Sequence, residues 1–284
     1  MAPVPTADDA GMRLGGVAFA LVLLAQASQA PVAPAPTSDA GFRYERGRLS
    51  AGRVYRYRRS NLDGSDPGEF ALYLASETRI AALSWSPGAP GGRLVEAEMD
   101  WERVSVAHLE SFEIDARGER RAVGELELAP DGKRLVARVD GRALECALAR
   151  LPWHGRDFLG ASLNAALRFL ADPEDHAEFE IVDLVHAPGG SELVDRGTAR
   201  LVYAGEEEHA GLACRRYALG GGGLGSDGSL WAARGDEVYL VGLELELPRG
   251  EHASAARLEW LRSETMSAAE WDALVRARGV AEPR

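Results

Sequence analysis

The sequence contains only two cysteines and a single lysine, Lys133, among its 284 residues. Positive charge therefore comes almost entirely from arginine, and the excess of acidic residues gives a formal net charge of −12. Such an acidic chain repels a phosphate backbone, which excludes nucleic acid as a general partner. At this length a sizeable hydrophobic core can form.

Catalytic and metal-binding signatures are also missing. The sequence has no Gly-x-Ser-x-Gly elbow of the serine hydrolases and no His-Glu-x-x-His zinc motif, and no two histidines stand two or four positions apart. The glycine-rich run 220–225 is followed by turn and strand residues where a phosphate-binding loop needs a helix. We therefore expect no metal, no cofactor and no enzymatic activity.

A long hydrophobic run is lacking as well, because the apolar segment 14–24 is too short to span a bilayer comfortably. It follows the basic start Met12-Arg13 and precedes small residues, which is the order of a signal peptide. We expect a signal peptide over residues 1–27, with translation beginning at Met12, and a disordered Pro/Ala-rich leader over 28–41. This pattern predicts export to the periplasm or beyond, and the alternative is an uncleaved anchor.

The two cysteines, Cys146 and Cys214, allow one disulfide. In an oxidising compartment an even number of cysteines favours a bridge. The alternative is a pair of free thiols that pack as small hydrophobic side chains. The sequence leaves both alternatives open.

Alternation of apolar and polar residues dominates from Val54 to Arg150, and no helical period interrupts it. Short turn signals such as Pro130-Asp-Gly132 and Asp140-Gly141 separate the segments. The same alternation resumes after residue 179. We therefore predict a mainly β domain over residues 42–263, built on one large curved antiparallel sheet.

A helix is predicted over about residues 158–171. It is apolar nearly all round, since Ser162, Asn164 and Arg168 are its only polar side chains, and such a helix is normally buried. The concave side of a curved sheet is the natural place for it. Asp157 or Ser162 is expected to cap its first turn.

A second helix is predicted in the C-terminal segment 264–284. Ser267 and Glu270 have the spacing of a capping box, and Gly279 is placed to end the helix.

The segment that leads into the first helix, Leu151-Pro-Trp-His-Gly-Arg-Asp157, has three interpretations. It could be a structural corner in which Trp153 packs and Gly155 permits the turn. It could grip a ligand, in which case the ligand-binding residues would be Trp153, His154, Arg156, Asp157 and Phe169. It could also be catalytic, because a His-x-x-Asp pair can orient a general base, although no nucleophile is identifiable nearby.

Arginines are concentrated in one stretch near the start of the domain. This local basic patch could contact anionic head groups or polysaccharide. The favoured alternative is a solvated strand face with its tyrosines turned inward. The residues are Arg43, Arg46, Arg48, Arg53, Arg56, Arg58 and Arg59.

Several segments carry a resemblance to a known group of proteins. They are Pro-Trp-His at a strand end, the helix Ser-Leu-Asn-Ala-Ala-Leu-Arg, and the later Gly-Leu-Ala-Cys-Arg-Arg-Tyr and Leu-Trp-Ala. Over residues 42–262 the chain is similar to exported bacterial β-rich domains of unknown function, which look like the lipoprotein-carrier half-barrels. The resemblance implies a half-barrel-like sheet wrapping the helix, with acyl chains as ligands of the family, and it carries no catalytic set.

These observations predict a non-enzymatic protein of the cell envelope that binds a lipid or another hydrophobic or amphipathic ligand between sheet and helix. One alternative is a structural or interaction module that docks an envelope protein partner. A further alternative is a hydrolase that uses His154 and Asp157.

Overall fold

The computed structural model describes residues 41–187, 190–224, 227–245 and 257–279. The predicted signal peptide and nearly all of the predicted leader lie outside these residues. Within these ranges, fifteen strands form one open, curved sheet in the order 8-7-6-5-4-3-2-1-15-14-13-12-11-10-9. Neighbouring strands are antiparallel throughout, except that the short β9 runs parallel to β10. The predicted mainly β fold with a large curved sheet is confirmed.

The strands follow the predicted alternation closely in the first half of the domain. They are β1 (Arg53–Ser60), β2 (Gly68–Leu74), β3 (Arg79–Trp85), β4 (Gly92–Asp100), β5 (Ser105–Ile114), β6 (Arg120–Leu128), β7 (Arg134–Val139) and β8 (Arg142–Ala147). The second half contains β9 (Trp153–Gly155), β10 (His176–Ala187), β11 (Gly190–His209), β12 (Leu212–Gly220), β13 (Gly228–Ala233), β14 (Leu240–Leu245) and β15 (Arg257–Thr265).

The first helix, α1 (Leu159–Ala166), is flanked by two 3-10 turns, Arg156–Phe158 and Leu167–Phe169. Together these segments match the predicted helix. Its predicted caps are wrong, because no side chain caps the first turn. Asp157 instead binds Arg93 at 2.8 Å, and the Ser162 hydroxyl donates to the Phe158 carbonyl inside the helix.

The helix α1 lies in the hollow of the sheet. It contacts β3, β9 and β14, which come from distant parts of the strand order. Every residue from 161 to 170 is buried, as predicted for a helix that is apolar all round. Strand β8, at one edge of the sheet, contacts β11, so the sheet wraps far around the helix.

The second helix, α2 (Ala268–Gly279), packs against the outer face of the sheet. The predicted capping box is confirmed, because the Glu270 carboxylate accepts from the Ser267 amide at 2.7 Å and the Ser267 hydroxyl accepts from the Glu270 amide at 3.3 Å. Trp271 stacks on Tyr73 with ring centroids 4.9 Å apart. The first strands are therefore covered on both faces, which explains their long apolar runs.

Within the described residues, no helix combines the length and the apolar character needed to cross a membrane.

Candidate functional site

The corner before α1 is closed and tightly packed. Trp153 is fully buried, and its ring nitrogen donates to the Val106 carbonyl at 3.0 Å. Its backbone amide donates to the Ser105 hydroxyl at 3.2 Å. The corner thus joins β9 to β5 as well as to β10, which is the role expected of a structural corner.

His154 is also fully buried, with an exposed fraction of 0%. Its ring lies edge-on to Phe179 at 5.1 Å, and neither ring nitrogen has a hydrogen-bonding partner among the described residues. Burial lowers the pKa of His154 to about 3, so the imidazole is neutral at ordinary pH. Asp157 binds Arg93 instead of His154. The structure therefore does not form the pair that a general base would require.

The residues predicted to bind a ligand divide into two groups. Trp153, His154 and Phe169 are buried in the core, where Phe169 packs against Tyr44 and Trp101. Only Arg156 and Asp157 lie at an open cleft. Ligand binding by the whole set stays a prediction.

That cleft lies between the concave face of the sheet and the first turn of the helical segment, and we call it the apolar cleft. Its volume is about 60 Å³. Arg93 and Asp157 form an ion pair at its mouth, and Arg156 lies 3.4 Å from the carboxylate of Asp183. The apolar side chains that line it are Val95, Leu109, Val123, Leu126, Phe158, Val182 and Leu184.

A second opening lies at the other end of the helix, and we call it the arginine pocket. It has a volume of about 720 Å³ and is lined by Arg48, Arg53, Tyr55, Arg168 and Glu237, among others. Sequence reasoning missed it as a site. Arg168 could have revealed this pocket from the sequence, because it is a charged residue inside a helix predicted to be wholly buried. A buried charge requires polar partners.

Polar bonds connect this end of α1 to the sheet. The Asn164 side chain donates to the Tyr57 hydroxyl at 2.7 Å and accepts from the Leu240 amide at 3.0 Å. The Tyr57 hydroxyl in turn donates to the Leu240 carbonyl at 2.9 Å. Both backbone groups of Leu240 are thus satisfied by side chains, because a bulge separates this part of β14 from the regular ladder.

The arginine-rich stretch is largely neutralised by neighbouring acids. The predicted solvated strand face holds only in part, because Arg58 is exposed whereas Arg56 is buried. The ion pairs join Arg53 to Glu237 at 2.7 Å, Arg56 to Glu264 at 2.8 Å and Arg58 to Glu259 at 3.8 Å. Arg46 lies 3.7 Å from Glu77, and Arg48 pairs with Glu45. Tyr55 and Tyr57 turn inward and are buried.

One group of side chains in the described part of the chain has the makeup of a metal site. His108 and Glu110 alternate on β5, Glu125 lies opposite Glu110 on β6, and their ligand atoms lie within 4.8 Å of one another. Histidine spacing alone could not reveal this group, because its third member comes from the neighbouring strand. All three side chains are partly exposed and Glu125 is bound by Arg138, so we assign no ion to them.

The two cysteines are free thiols in the structure, which is the second of the two alternatives that the sequence left open. Cys214 is buried beside Trp231 and Val241 in a small apolar cluster, whereas Cys146 is half-buried and packs against the main core around α1. Because the thiols belong to different clusters, a disulfide between them would require the sheet to rearrange.

Alkylation with iodoacetamide in the absence of reductant is expected to label Cys146 alone in the folded protein. Labelling should be slow, because burial raises the pKa of this thiol, and Cys214 should react only after unfolding. Intact-mass measurement counts the labels. A denatured, unreduced protein that takes up no label would show that the two cysteines are bridged.

No family model matches this chain, and no curated protein matches it significantly. The geometry of the clefts and the buried polar groups are therefore what indicate a function.

Proposed function

We propose that the protein is a non-enzymatic binding protein that holds the apolar part of a hydrophobic or amphipathic molecule in the apolar cleft. The observation that carries the proposal is the lining of that cleft. Leu109, Val123 and Leu184 stay partly exposed there, next to buried Phe158. Covering such apolar surface is favourable by about 25 cal/mol per Å².

The mouth of the cleft suits the polar part of an amphipathic ligand. Arg93 and Asp157 face each other across it at 2.8 Å, and both side chains are nearly half-exposed. An ion pair this exposed stabilises the protein by less than about 1 kcal/mol, so separating it costs little. Separation is required, because the cleft of 60 Å³ is only about twice the volume that a water molecule occupies in the liquid.

A location outside the cytoplasm belongs to the same proposal. Its support is the order of basic, apolar and small residues over residues 12–27. An exported carrier would meet lipids and other amphipathic molecules of the envelope. N-terminal sequencing of the mature protein tests this part, since an intact Met1 would contradict it.

Replacing Val123 with tryptophan is expected to abolish ligand binding, because the larger ring fills the apolar cleft. The probe is cis-parinaric acid, a fatty acid whose fluorescence rises in an apolar environment. We expect the wild-type protein to bind it and Val123→Trp to bind it at least about tenfold more weakly, which corresponds to about 1.4 kcal/mol.

The matched control is Leu261→Trp, which adds the same ring at a position that is 42% exposed on β15. This variant should bind parinaric acid as the wild type does. The proposed function is wrong if the wild-type protein does not bind the probe, or if Val123→Trp binds it equally well. If the wild type binds the probe and Val123→Trp does not, native mass spectrometry of gently purified protein identifies the mass of a natural ligand.

A further inference from the structure

Arg168 carries a positive charge into the interior of the protein. Only 4% of its surface is exposed. Its guanidinium donates to the Asn164 carbonyl and to the Tyr55 hydroxyl, each at 2.7 Å, and lies 5.3 Å from the centroid of the Tyr55 ring. These partners are neutral, and no ion pair between described residues includes Arg168. A buried charge without a direct counter-ion is costly, so its retention calls for an explanation.

The nearby carboxylate of Glu237 is already engaged by other groups. Arg53 binds both of its oxygens, at 2.9 and 2.7 Å, and the Tyr55 hydroxyl donates to one of them. Burial alone would raise the pKa of Glu237, but the hydrogen bonds from Arg53 and Tyr55 hold it below its ordinary value. Arg53 and Glu237 thus neutralise each other, and Tyr55 separates Glu237 from Arg168.

Arg168 is a buried charge that borders a large pocket. It lines the arginine pocket, whose volume of about 720 Å³ lies in the range typical of small-molecule sites. Three arginines and two acids line this pocket, Asp236 being the second acid. Arg53 pairs with Glu237 and Arg48 with Glu45, whereas no ion pair between described residues involves Arg168. Two of the five N–H donors of Arg168 are used in its hydrogen bonds to described residues.

We propose that the arginine pocket binds the carboxylate or phosphate group of a small molecule, with Arg168 at its floor and Arg48 at its rim. A planar guanidinium can donate two parallel hydrogen bonds to such an oxyanion. The anion supplies the direct counter-ion that the buried charge lacks. This site lies at the opposite end of α1 from the apolar cleft and is independent of the function proposed above.

Isothermal titration calorimetry with inorganic phosphate and with dodecyl phosphate below its critical micelle concentration tests the proposal. Equal affinities would identify a free anion as the ligand type, and binding of dodecyl phosphate alone would identify the head group of an amphiphile. Equal affinities support an oxyanion site, and binding of dodecyl phosphate alone supports it when Ala51→Trp weakens that binding, since the dodecyl chain could also enter the apolar cleft. Failure of both probes to bind the wild-type protein would overturn it.

Two variants locate the binding. Arg168→Met removes the charge, and Ala51→Trp blocks the mouth from an exposed position that lines the pocket. Each is expected to weaken binding by about tenfold or more, because a charge-assisted contact is lost or obstructed. If Arg168→Met does not fold, Ala51→Trp still decides the question.

The controls are Ala116→Trp, at an exposed turn, and Val123→Trp in the apolar cleft. Ala116→Trp should bind both phosphate probes as the wild type does. Val123→Trp should bind inorganic phosphate as the wild type does, which separates this test from that of the proposed function, because only the dodecyl chain could also enter the apolar cleft. Binding that Ala51→Trp leaves unchanged would place the anion elsewhere and overturn the proposal.

Discussion

Replacing Asn164 with leucine is expected to lower the free energy of unfolding by about 3 kcal/mol. The side chain is fully buried and has the same number of heavy atoms and the same branching as leucine, so the change opens no cavity. It does remove the acceptor of the Leu240 amide and the donor to the Tyr57 hydroxyl. Each buried polar group left without a partner costs about 1–3 kcal/mol. Urea unfolding measures the difference, provided that the slope of the transition is unchanged.

The same measurement on Tyr57→Phe and on the double variant shows whether the two side chains act together. Tyr57→Phe removes the donor to the Leu240 carbonyl and should cost about 1–2 kcal/mol. Because the Asn164 and Tyr57 side chains bond to each other, the double variant should lose about 1 kcal/mol less than the two single losses combined. Additive losses would mean that each side chain bonds Leu240 independently.

Ser162→Ala is the control within the same helix. Ser162 is buried like Asn164, but its hydroxyl bonds only to the Phe158 carbonyl one turn earlier. Its loss should cost less than about 1 kcal/mol, since that carbonyl can accept other helical bonds. A wild-type stability for Asn164→Leu would show that the hydrogen bonds between α1 and β14 contribute little to docking the helix.

The strands could be predicted because one face of most of them packs on the core while the other meets solvent, which imposes a period of two. Two strands departed from this rule. The three-residue β9 is too short to show a period, and its parallel pairing with β10 depends on a contact between distant segments. The first half of β11, residues 190–197, is rich in glycine and charge and shows no alternation, yet the hairpin with β10 holds it in the sheet.

The helix α1 could be predicted from its apolar composition, but its surroundings could not. Aspartate commonly caps helices, so the sequence suggests this role for Asp157. Only the fold shows that the Asp157 carboxylate binds Arg93, 64 positions earlier in the chain. The polar residues Asn164 and Arg168 indicate by themselves that partners must exist. Their partners, Tyr57 and Tyr55, lie more than one hundred positions away, and no local pattern relates the two segments.

The burial of His154 is a further feature that the local sequence could not predict. Adjacent residues of a strand point to opposite faces, so the alternation predicts that Trp153 or His154 meets solvent. Both are fully buried in the structure. The reason is that both sides of β9 are covered. Strand β5 and the core cover the side of Trp153, and Phe179 covers His154.

This buried histidine is expected to make the protein sensitive to acid. Its pKa is about 3 in the folded protein, against an ordinary value of 6.5. Between these values the unfolded chain binds a proton that the folded protein does not bind, so stability falls as the pH decreases through this window. The loss approaches about 1.4 kcal/mol per pH unit and reaches about 5 kcal/mol near pH 3.

Replacing His154 with leucine should remove this dependence. The variant is expected to match or exceed the wild type in stability at neutral pH, because both ring nitrogens of His154 lack hydrogen-bonding partners among the described residues. Below pH 6.5 the difference in unfolding free energy between variant and wild type should grow steadily. Acidic side chains that titrate in the same range contribute equally to both proteins, so only the difference reports on His154. Urea unfolding between pH 7 and pH 4 measures it.

His176→Gln is the matched control, because His176 is exposed and its ring nitrogen lies 2.7 Å from the neighbouring Asp175 carboxylate. Its removal should leave most of the acid dependence in place. If His154→Leu kept the wild-type slope, the proton would be taken up by the folded protein as well, and the His154 ring would need a path to solvent through the closed corner. Because Trp153 and Phe179 seal that corner, the slope also measures how firmly β9 is held against the sheet.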